Sequence, residues 1–340
     1  MSAEHFLDLV GATNLIPGPN STELTMHIGH ERAGWRGLIV AGLCFIIPAV
    51  IITAAFAWAY ALYGQLPQVA PFIYGIQPAI LAVIVALMIS LGRKALKSVQ
   101  LGIIGLLAAI AVLAGFNEIF VLFGAGVLGM LLYFLTKKNN SIPSFFPFII
   151  LQITTSGIRL PDLKIFLIFL KIGSILYGSG YVLFAFLDAE LVSKGLLTSQ
   201  QLVDAIAVGQ FTPGPVFSSA TFIGWQMGGA GGALAATIGI FLPSFLFVAF
   251  LNPLLPKLRK SKVMSVFLDT INIVSVAIII SVVVEIGSTT LSDWRAIVIA
   301  TLSFFVTFYF KNLNTAFVIF GGAALGYLLW LIPGGDAFLI

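Results

Sequence analysis

Apolar runs of about 20 residues recur along almost the whole chain, and each is long enough to cross a hydrocarbon core of about 30 Å as a helix. Only 9% of the 340 residues are charged, against about 25% in a typical soluble domain. The pattern predicts an all-α polytopic membrane protein with about 10–12 transmembrane segments, a multi-pass integral protein of the cell membrane.

The apolar runs also predict where the segments lie. Two of them, 4–27 and 201–227, are broken by proline and glycine. Continuous spans are expected at 37–63, 72–91, 99–116, 118–136, 163–187, 231–255, 264–286, 294–311 and 314–332. A weaker apolar stretch lies at 145–157.

One short motif, Pro-Gly-Pro, interrupts both broken segments. The first copy is Pro17, Gly18 and Pro19, and the second is Pro213, Gly214 and Pro215. Proline removes a backbone N–H and clashes with the preceding turn, while glycine adopts dihedrals that other residues avoid. Each copy therefore predicts a helix break and a new half-helix, whose free N–H groups suit an anion. Broken helices that face each other across a repeat interface are a common binding-site design in membrane transporters.

The two halves of the chain align almost without gaps. Pro17 pairs with Pro213, 196 positions later. A separation of 195 then relates Gly29 to Gly224, Gly34 to Gly229, Gly37 to Gly232, Pro48 to Pro243 and Gly92 to Gly287. We interpret this register as a gene duplication in which 1–138 is the first repeat, 139–162 a linker or weak span, and 163–340 the second repeat.

Charge predicts that the two repeats have opposite orientations in the membrane. In five pairs of equivalent loops, a basic copy corresponds to a poorly basic one. The loop at 92–98, for example, carries Arg93, Lys94 and Lys97, whereas its partner has only Asp293 and Arg295 at its edge. Because basic loops tend to stay in the cytoplasm, the simplest explanation is a pair of inverted-topology repeats.

Inversion requires an odd number of crossings between Lys138 and Met227, and two solutions fit. Either 145–157, 163–187 and 201–227 all cross, or only 163–187 crosses and 201–227 is a re-entrant hairpin. The sequence does not choose between them. The second repeat also has a helix before its Pro-Gly-Pro that the first repeat lacks. Either the gene lost that N-terminal helix, or the start codon is placed too far downstream.

These residues resemble the chromate transporter family in its long, two-domain form. The likeness lies in an ordered set that covers nearly the whole chain. In the second half the set is Phe169-Leu170-Lys171-Ile172-Gly173, Gly178-Ser179-Gly180, Glu190 and the second Pro-Gly-Pro; in the first half it is the run from Leu15 to Gly37. Two departures are the missing first-half helix and Ser179, where family members often have glycine.

The resemblance implies a secondary membrane transporter that exports chromate, a tetrahedral oxyanion, and is related to sulfate handling, with a role in chromate resistance. The alternatives are a carrier for another inorganic anion such as sulfate, and a membrane-embedded enzyme or lipid-handling protein. The expected partners are the oxyanion and the lipid bilayer. We expect no nucleic acid and no cofactor, and a homodimer is one of the oligomeric states left open.

Polar side chains near the two breaks are candidates for contacting the substrate. Hydroxyl and amide donors suit a tetrahedral dianion, although Ser, Thr and Asn also cap helices routinely. The predicted substrate-binding residues are Asn14, Pro17, Gly18, Pro19, Asn20, Ser21, Thr22, Lys171, Gly178, Gly180, Gln210, Pro213, Gly214, Pro215, Ser218 and Ser219. The two glycines at 178 and 180 serve equally well for tight helix packing.

Two charged residues have special expected roles. Lys171 lies inside a predicted span, where a lysine is a functional hypothesis by default, with snorkelling to the interface as the alternative. We expect it to be the main fixed positive charge of the site. Glu23 would repel an anion unless protonated, so it is a candidate for proton coupling; its alternative role is helix capping together with Asn20.

Catalytic and metal chemistry are not expected. No nucleophile–base–orienter set appears within the spans, and no phosphate-binding loop is present, so transport would be powered by a gradient or by the membrane potential. His27 and His30 lie three residues apart, but no third metal ligand is close in sequence, and Cys44 is the only cysteine. The basic loop at 92–98 is expected to set topology only.

Overall fold

The computed structural model describes residues 6, 9–11, 13–64, 66–136, 161–177, 180, 182–251, 261–310 and 313–332. These residues form helices and no strand. The helices are α1 (Asn20–Tyr63), α2 (Ala70–Ala95), α3 (Val99–Leu113), α4 (Glu118–Thr136), α5 (Pro161–Ile175), α6 (Val182–Leu187), α7 (Ser199–Phe211), α8 (Ser219–Leu251), α9 (Lys262–Thr290), α10 (Trp294–Tyr309) and α11 (Thr315–Trp330).

Five helical segments among the described residues are long and apolar enough to cross a membrane: Asn20–Tyr63, Ala70–Ala95, Glu118–Leu135, Val216–Phe250 and Lys262–Thr290. Three shorter apolar helices, α3, α10 and α11, accompany them. The prediction of an all-α polytopic membrane protein is confirmed. The weak stretch at 145–157 lies outside the described residues.

Helices α1 and α8 are both sharply folded hairpins. The reversal occurs at Ala33 and Gly34 in α1, and at Gly228 and Gly229 in α8, with closely matching backbone angles; φ is 57° at Gly34 and 60° at Gly229. A positive φ of this kind favours glycine.

Close backbone contact across each turn confirms the reversal. In a straight helix, residues eight positions apart would be separated by about 12 Å. Instead, a Cβ added to Gly29 would clash with the carbonyl of Gly37, and one added to Gly224 would clash with that of Gly232. Each helix therefore has a short first arm, which follows a Pro-Gly-Pro, and a long second arm.

The long arms of α1 and α8 pack side by side in opposite directions. The rings of Trp35 and Phe250 are 6.4 Å apart, and Gly42 lies against the ring of Phe245. The first part of one arm thus meets the last part of the other. Since the two arms are equivalent in the alignment, this antiparallel packing is what inverted repeats require.

The remaining helices of each half pack against helices of the other half. Helix α2 packs against α10 and α11, while α9 packs against α3 and α4. Equivalent residues make these contacts, because Gly75 touches Gly326 in one pair and Thr270 touches Gly129 in the other. Such reciprocity is expected from a two-fold relation between the halves. The inverted repeat itself stays a prediction, which these contacts support.

The contacts of α7 favour the re-entrant alternative for 201–227. Asp204 in α7 bonds to Tyr60, and Phe222, which lies beyond the second Pro-Gly-Pro, also meets the Tyr60 ring, at 5.2 Å. Between these two residues, Gly214 lies against Ala49, about 16 Å from Tyr60 along α1. The chain therefore moves along α1 as far as Gly214 and then returns.

The predicted single span at 163–187 is wrong. Helix α5 ends at Ile175, and a second helix, α6, begins at Val182 and continues as a π-helical segment, Asp188–Val192. Glycine is a poor helix former, and two glycines, at 178 and 180, fall between the helices. The end of α5 is also tied to the first break, because the N–H of Gly18 donates to the carbonyl of Leu176 at 2.8 Å.

Candidate functional site

The first Pro-Gly-Pro starts the short arm of α1 and leaves donors free. Gly18, with φ 138°, donates its N–H to the end of α5. The N–H groups of Thr22 and Glu23 both donate to the carbonyl of Pro19, at 2.8 and 3.2 Å. Within the described residues, the N–H groups of Asn20 and Ser21 remain as the free donors of the new helix end. Such donors carry partial positive charge.

The second Pro-Gly-Pro is built differently. A short 3-10 turn, Val216–Ser218, separates it from α8. The hydroxyls here bond locally: Ser218 Oγ lies 3.2 Å from Thr212 Oγ1, and Ser219 Oγ donates to the carbonyl of Val216 at 2.8 Å. Ser218 and Ser219 are buried and hold the break together.

A cavity of about 630 Å³ lies where the two breaks come together. Pro19, Asn20 and Ser21 line it from the first break, and Val216 and Phe217 line it from the second. Its remaining polar lining comes from Asn14, from Lys94 in the last turn of α2 and Lys97 just after it, and from Asp269, Asn272 and Ser275 on α9. One space is thus shared by both half-helix starts and a set of amides, hydroxyls and lysines.

Several polar groups of the cavity are already oriented. Asn20 Nδ2 donates to Asn14 Oδ1 at 2.8 Å, and Asn14 Nδ2 donates to the carbonyl of Val10 at 3.1 Å. Lys97 Nζ is paired with Asp269 Oδ1 at 2.6 Å. Ser275 is only 3% exposed, and its Oγ has no hydrogen-bond partner among the described residues.

Lys171 does not lie among the residues that line the cavity. Its Nζ is 2.7 Å from Glu190 Oε1, and the other oxygen of Glu190 accepts from Lys194 at 2.7 Å. The Glu190 side chain is only 5% exposed. The structure therefore places Lys171 in a three-residue ion-pair cluster between α5 and the segment after α6, and not where it was expected.

The other predicted substrate-binding residues divide into two groups. Asn14, Pro19, Asn20, Ser21 and Gly180 line the cavity, whereas Pro17, Gly18, Thr22, Gln210, Pro213, Gly214, Pro215, Ser218 and Ser219 are not among the lining residues. Gln210 instead accepts a hydrogen bond from Thr315, at 3.2 Å. Gly178 lies outside the described residues.

Glu23 is fully buried beside the first break. It is 0% exposed, and no hydrogen bond of good geometry joins either carboxyl oxygen to the described residues, although the Ser244 hydroxyl lies beside the carboxyl. Gly18 is close by, since a Cβ at that position would clash with both the Glu23 carboxyl and Ser244 Oγ. An ionised carboxylate without a partner is very costly in such surroundings, and a proton on Glu23 removes that cost.

Sequence reasoning missed the contribution of α9 and of the loop at 92–98. Asp269, Asn272 and Ser275 recur every third residue inside an apolar helix, so they share one face. This polar stripe was a signal that could have been used. Lys94 and Lys97 were interpreted as residues that set topology, and their position on the cavity follows only from the packing of α2 and α3 against α9.

An all-α chain with several helices long and apolar enough to cross a membrane is a multi-pass integral membrane protein, of the class that contains the transporters. Its family follows from comparison with known proteins. The family model of the chromate transporters matches residues 1–130 and 163–327. The chain belongs to the chromate transporter family.

Curated relatives agree with this assignment. A probable chromate transport protein of Synechococcus elongatus is 30% identical over 325 residues, which cover 92% of this chain and 82% of the relative. Chromate transport proteins of Pseudomonas aeruginosa and Cupriavidus metallidurans are 28% and 27% identical, over 97% and 93% of this chain and 84% and 81% of their own lengths. No solved structure matches the chain.

Proposed function

We propose that the chain is a secondary carrier that exports chromate, and that the anion binds in the cavity between the two Pro-Gly-Pro breaks. The proposal rests on one observation: residues that follow the two breaks line the same cavity, of about 630 Å³. Support also comes from the family, which is one of transporters, and from relatives that are named chromate transport proteins.

The polar lining suits a tetrahedral dianion. Bringing a charge out of water without partners is prohibitive, so the site must offer many donors. Asn20 and Ser21 supply N–H groups, and Asn272 and Ser275 supply an amide and a hydroxyl. The volume also leaves room for several of the ion's waters, each of which takes about 30 Å³. Sulfate has the same shape and charge, so we expect it to compete.

Export follows from the charge of the ion. Moving a dianion outward across a membrane potential of about 100 mV gains about 4.6 kcal/mol, twice the value for one charge. The basic loop at 92–98 is expected on the cytoplasmic side. Lys94, in the last turn of α2, and Lys97, just after it, are exposed and line the cavity, so the cavity is open at that end.

Towards the opposite end of α2, the position equivalent to Asn272 is engaged in a contact with α7. Gln77, the counterpart of Asn272, lies about 25 Å along α2 from Lys94, and its Nε2 is 3.4 Å from Asp204 Oδ1. Asp204 also accepts a hydrogen bond from Tyr60, at 2.7 Å. We interpret the difference between the two ends of α2 as a sign that the structure is one of two conformations that alternate during transport. In this scheme Glu23 is the site of proton coupling.

Chromate accumulation in cells tests the proposal. Cells that express the full chain should hold less chromate than cells with an empty vector, and added sulfate should reduce the rate of export. Equal chromate contents at verified expression would contradict the function. Export that sulfate inhibits but molybdate and phosphate do not would assign the sulfate-related specificity. Export of sulfate alone would favour the alternative, a sulfate carrier.

A further inference from the structure

Two lysines at the mouth of the cavity differ in their partners. Lys97 is paired with Asp269 at 2.6 Å, and the pair is partly open to solvent, with 59% and 25% of the two side chains exposed. Lys94 lines the same cavity and forms no hydrogen bond or ion pair within the part of the chain that the structure describes. One cation is therefore available to an anion, and a second is held by an acid.

A path of polar groups leads inward from this mouth. Asp269, Asn272 and Ser275 follow one face of α9 at intervals of about 4.5 Å along its axis. The innermost of the three, Ser275, is buried with its hydroxyl unpartnered. A buried hydroxyl without a partner costs free energy that a bound ligand can recover. The unpartnered hydroxyl of Ser275 therefore points to a ligand independently of the lysines.

We propose that Lys94 and Lys97 supply the positive charge that binds the dianion at the mouth of the cavity, and that Asp269 sets the affinity by competing for Lys97. This inference rests on the proposed function and identifies the charged part of its site. An exposed ion pair is worth little, about 1 kcal/mol or less. An arriving dianion can therefore displace Asp269 and take both lysines. Asp269 is a positioning residue, because it acts through Lys97.

The competing explanation is that the basic loop only sets topology. That role depends on the number of basic residues near the end of the span and not on which of them faces the cavity. Arg93 provides the matched control, because it is exposed beside Lys94 in the last turn of α2 and is not among the cavity-lining residues. Loss of Arg93 and loss of Lys94 remove the same charge from this end of the span, but only the second removes it from the cavity.

Chromate flux into proteoliposomes separates the two explanations. Initial rates are measured against chromate concentration for the wild-type protein and for Lys94→Gln, Lys94→Arg, Arg93→Gln and Asp269→Asn, at equal amounts and orientations of protein. Loss of a charge-assisted contact should raise KM about tenfold in Lys94→Gln, with kcat changed less than about twofold. Lys94→Arg should keep most of the affinity, and Arg93→Gln should stay within about twofold of wild type.

Asp269→Asn gives a change in the opposite direction. Releasing Lys97 should lower KM several-fold, a result that a folding defect does not produce. Because salt screens exposed charges over about 10 Å at 0.1 M, higher ionic strength should bring the wild-type KM closer to that of Lys94→Gln.

Equal KM values for Lys94→Gln and Arg93→Gln, or an unchanged KM in Asp269→Asn, would overturn the inference. Absence of chromate flux in the wild-type protein would instead contradict the proposed function. The wild-type measurement therefore distinguishes the two failures.

Discussion

At the scale of single residues, two pairs of lysines lie in different surroundings, one in a structural cluster and the other at the cavity. Lys171 and Lys194 neutralise the buried Glu190, whereas Lys94 and Lys97 face the cavity. A lysine inside an apolar helix is a good signal of importance. It does not tell whether the partner is a substrate or an acid 19 residues further along the chain, because that depends on tertiary packing.

Lys171→Gln should act on stability and not on substrate affinity. Removing one partner of a buried pair costs about 3 kcal/mol or more, reduced here because Lys194 remains. We expect a lower melting temperature in detergent, with an unchanged KM for chromate per folded molecule. The double variant Lys171→Gln/Glu190→Gln should recover part of the lost stability. A KM raised tenfold at unchanged stability would instead place Lys171 in the substrate site.

Glu23→Gln tests proton coupling at the buried acid. The amide has nearly the same shape as the protonated carboxyl but cannot exchange a proton. We therefore expect chromate–chromate exchange across vesicle membranes to persist, while acceleration of net flux by a pH gradient is lost. Both rates can be measured with the same reconstituted protein. If the pH gradient still accelerates net flux in the variant, Glu23 is not the coupling residue.

At the scale of the helices, the backbone conformation explains the glycine at each hairpin turn, and not a lack of room for a side chain. Nothing lies within 4 Å of a Cβ added at Gly34, yet its φ is 57°. Its ψ of −142° lies outside the left-handed helical region, so Gly34→Ala should destabilise the protein by about 1–3 kcal/mol through strain alone. Gly124→Ala is the control, because a Cβ added at Gly124, inside α4, also has nothing within 4 Å. Alanine at this position should leave the stability unchanged or raise it by up to about 1 kcal/mol. Equal melting temperatures for the two variants would contradict this account.

The sequence predicts local features of the helices better than their contacts. The apolar runs located most helices. Helix α1 begins directly after the first Pro-Gly-Pro, whereas a short 3-10 turn separates the second Pro-Gly-Pro from α8. The break between α5 and α6 was missed, although glycines 178 and 180 were visible, because the surrounding residues are apolar enough for one span. The Lys97–Asp269 pair joins residues 172 positions apart. No local pattern predicts such a contact.

At the scale of the whole molecule, the packing supports two halves of opposite orientation. Equivalent glycine contacts and the antiparallel long arms of α1 and α8 both follow from such an arrangement. Single cysteines at Ser98 and Ser292 in a Cys44→Ala background test it. These exposed positions lie before α3 and before its counterpart α10. We expect an impermeant thiol reagent to label them from opposite sides; labelling from the same side would contradict the inverted repeat.

The most direct test of the central proposal is to block the cavity between the two breaks. Ser21 is exposed and lines the cavity at the first half-helix start. In a Cys44→Ala background, Ser21→Cys is labelled with a bulky, neutral maleimide, and chromate flux is measured in proteoliposomes before and after labelling. The protein with its native Cys44, which is exposed but not among the cavity-lining residues, serves as the control. We predict that complete labelling at position 21 abolishes flux and that labelling of Cys44 leaves it unchanged. Full flux through protein completely labelled at position 21 would contradict transport through this cavity.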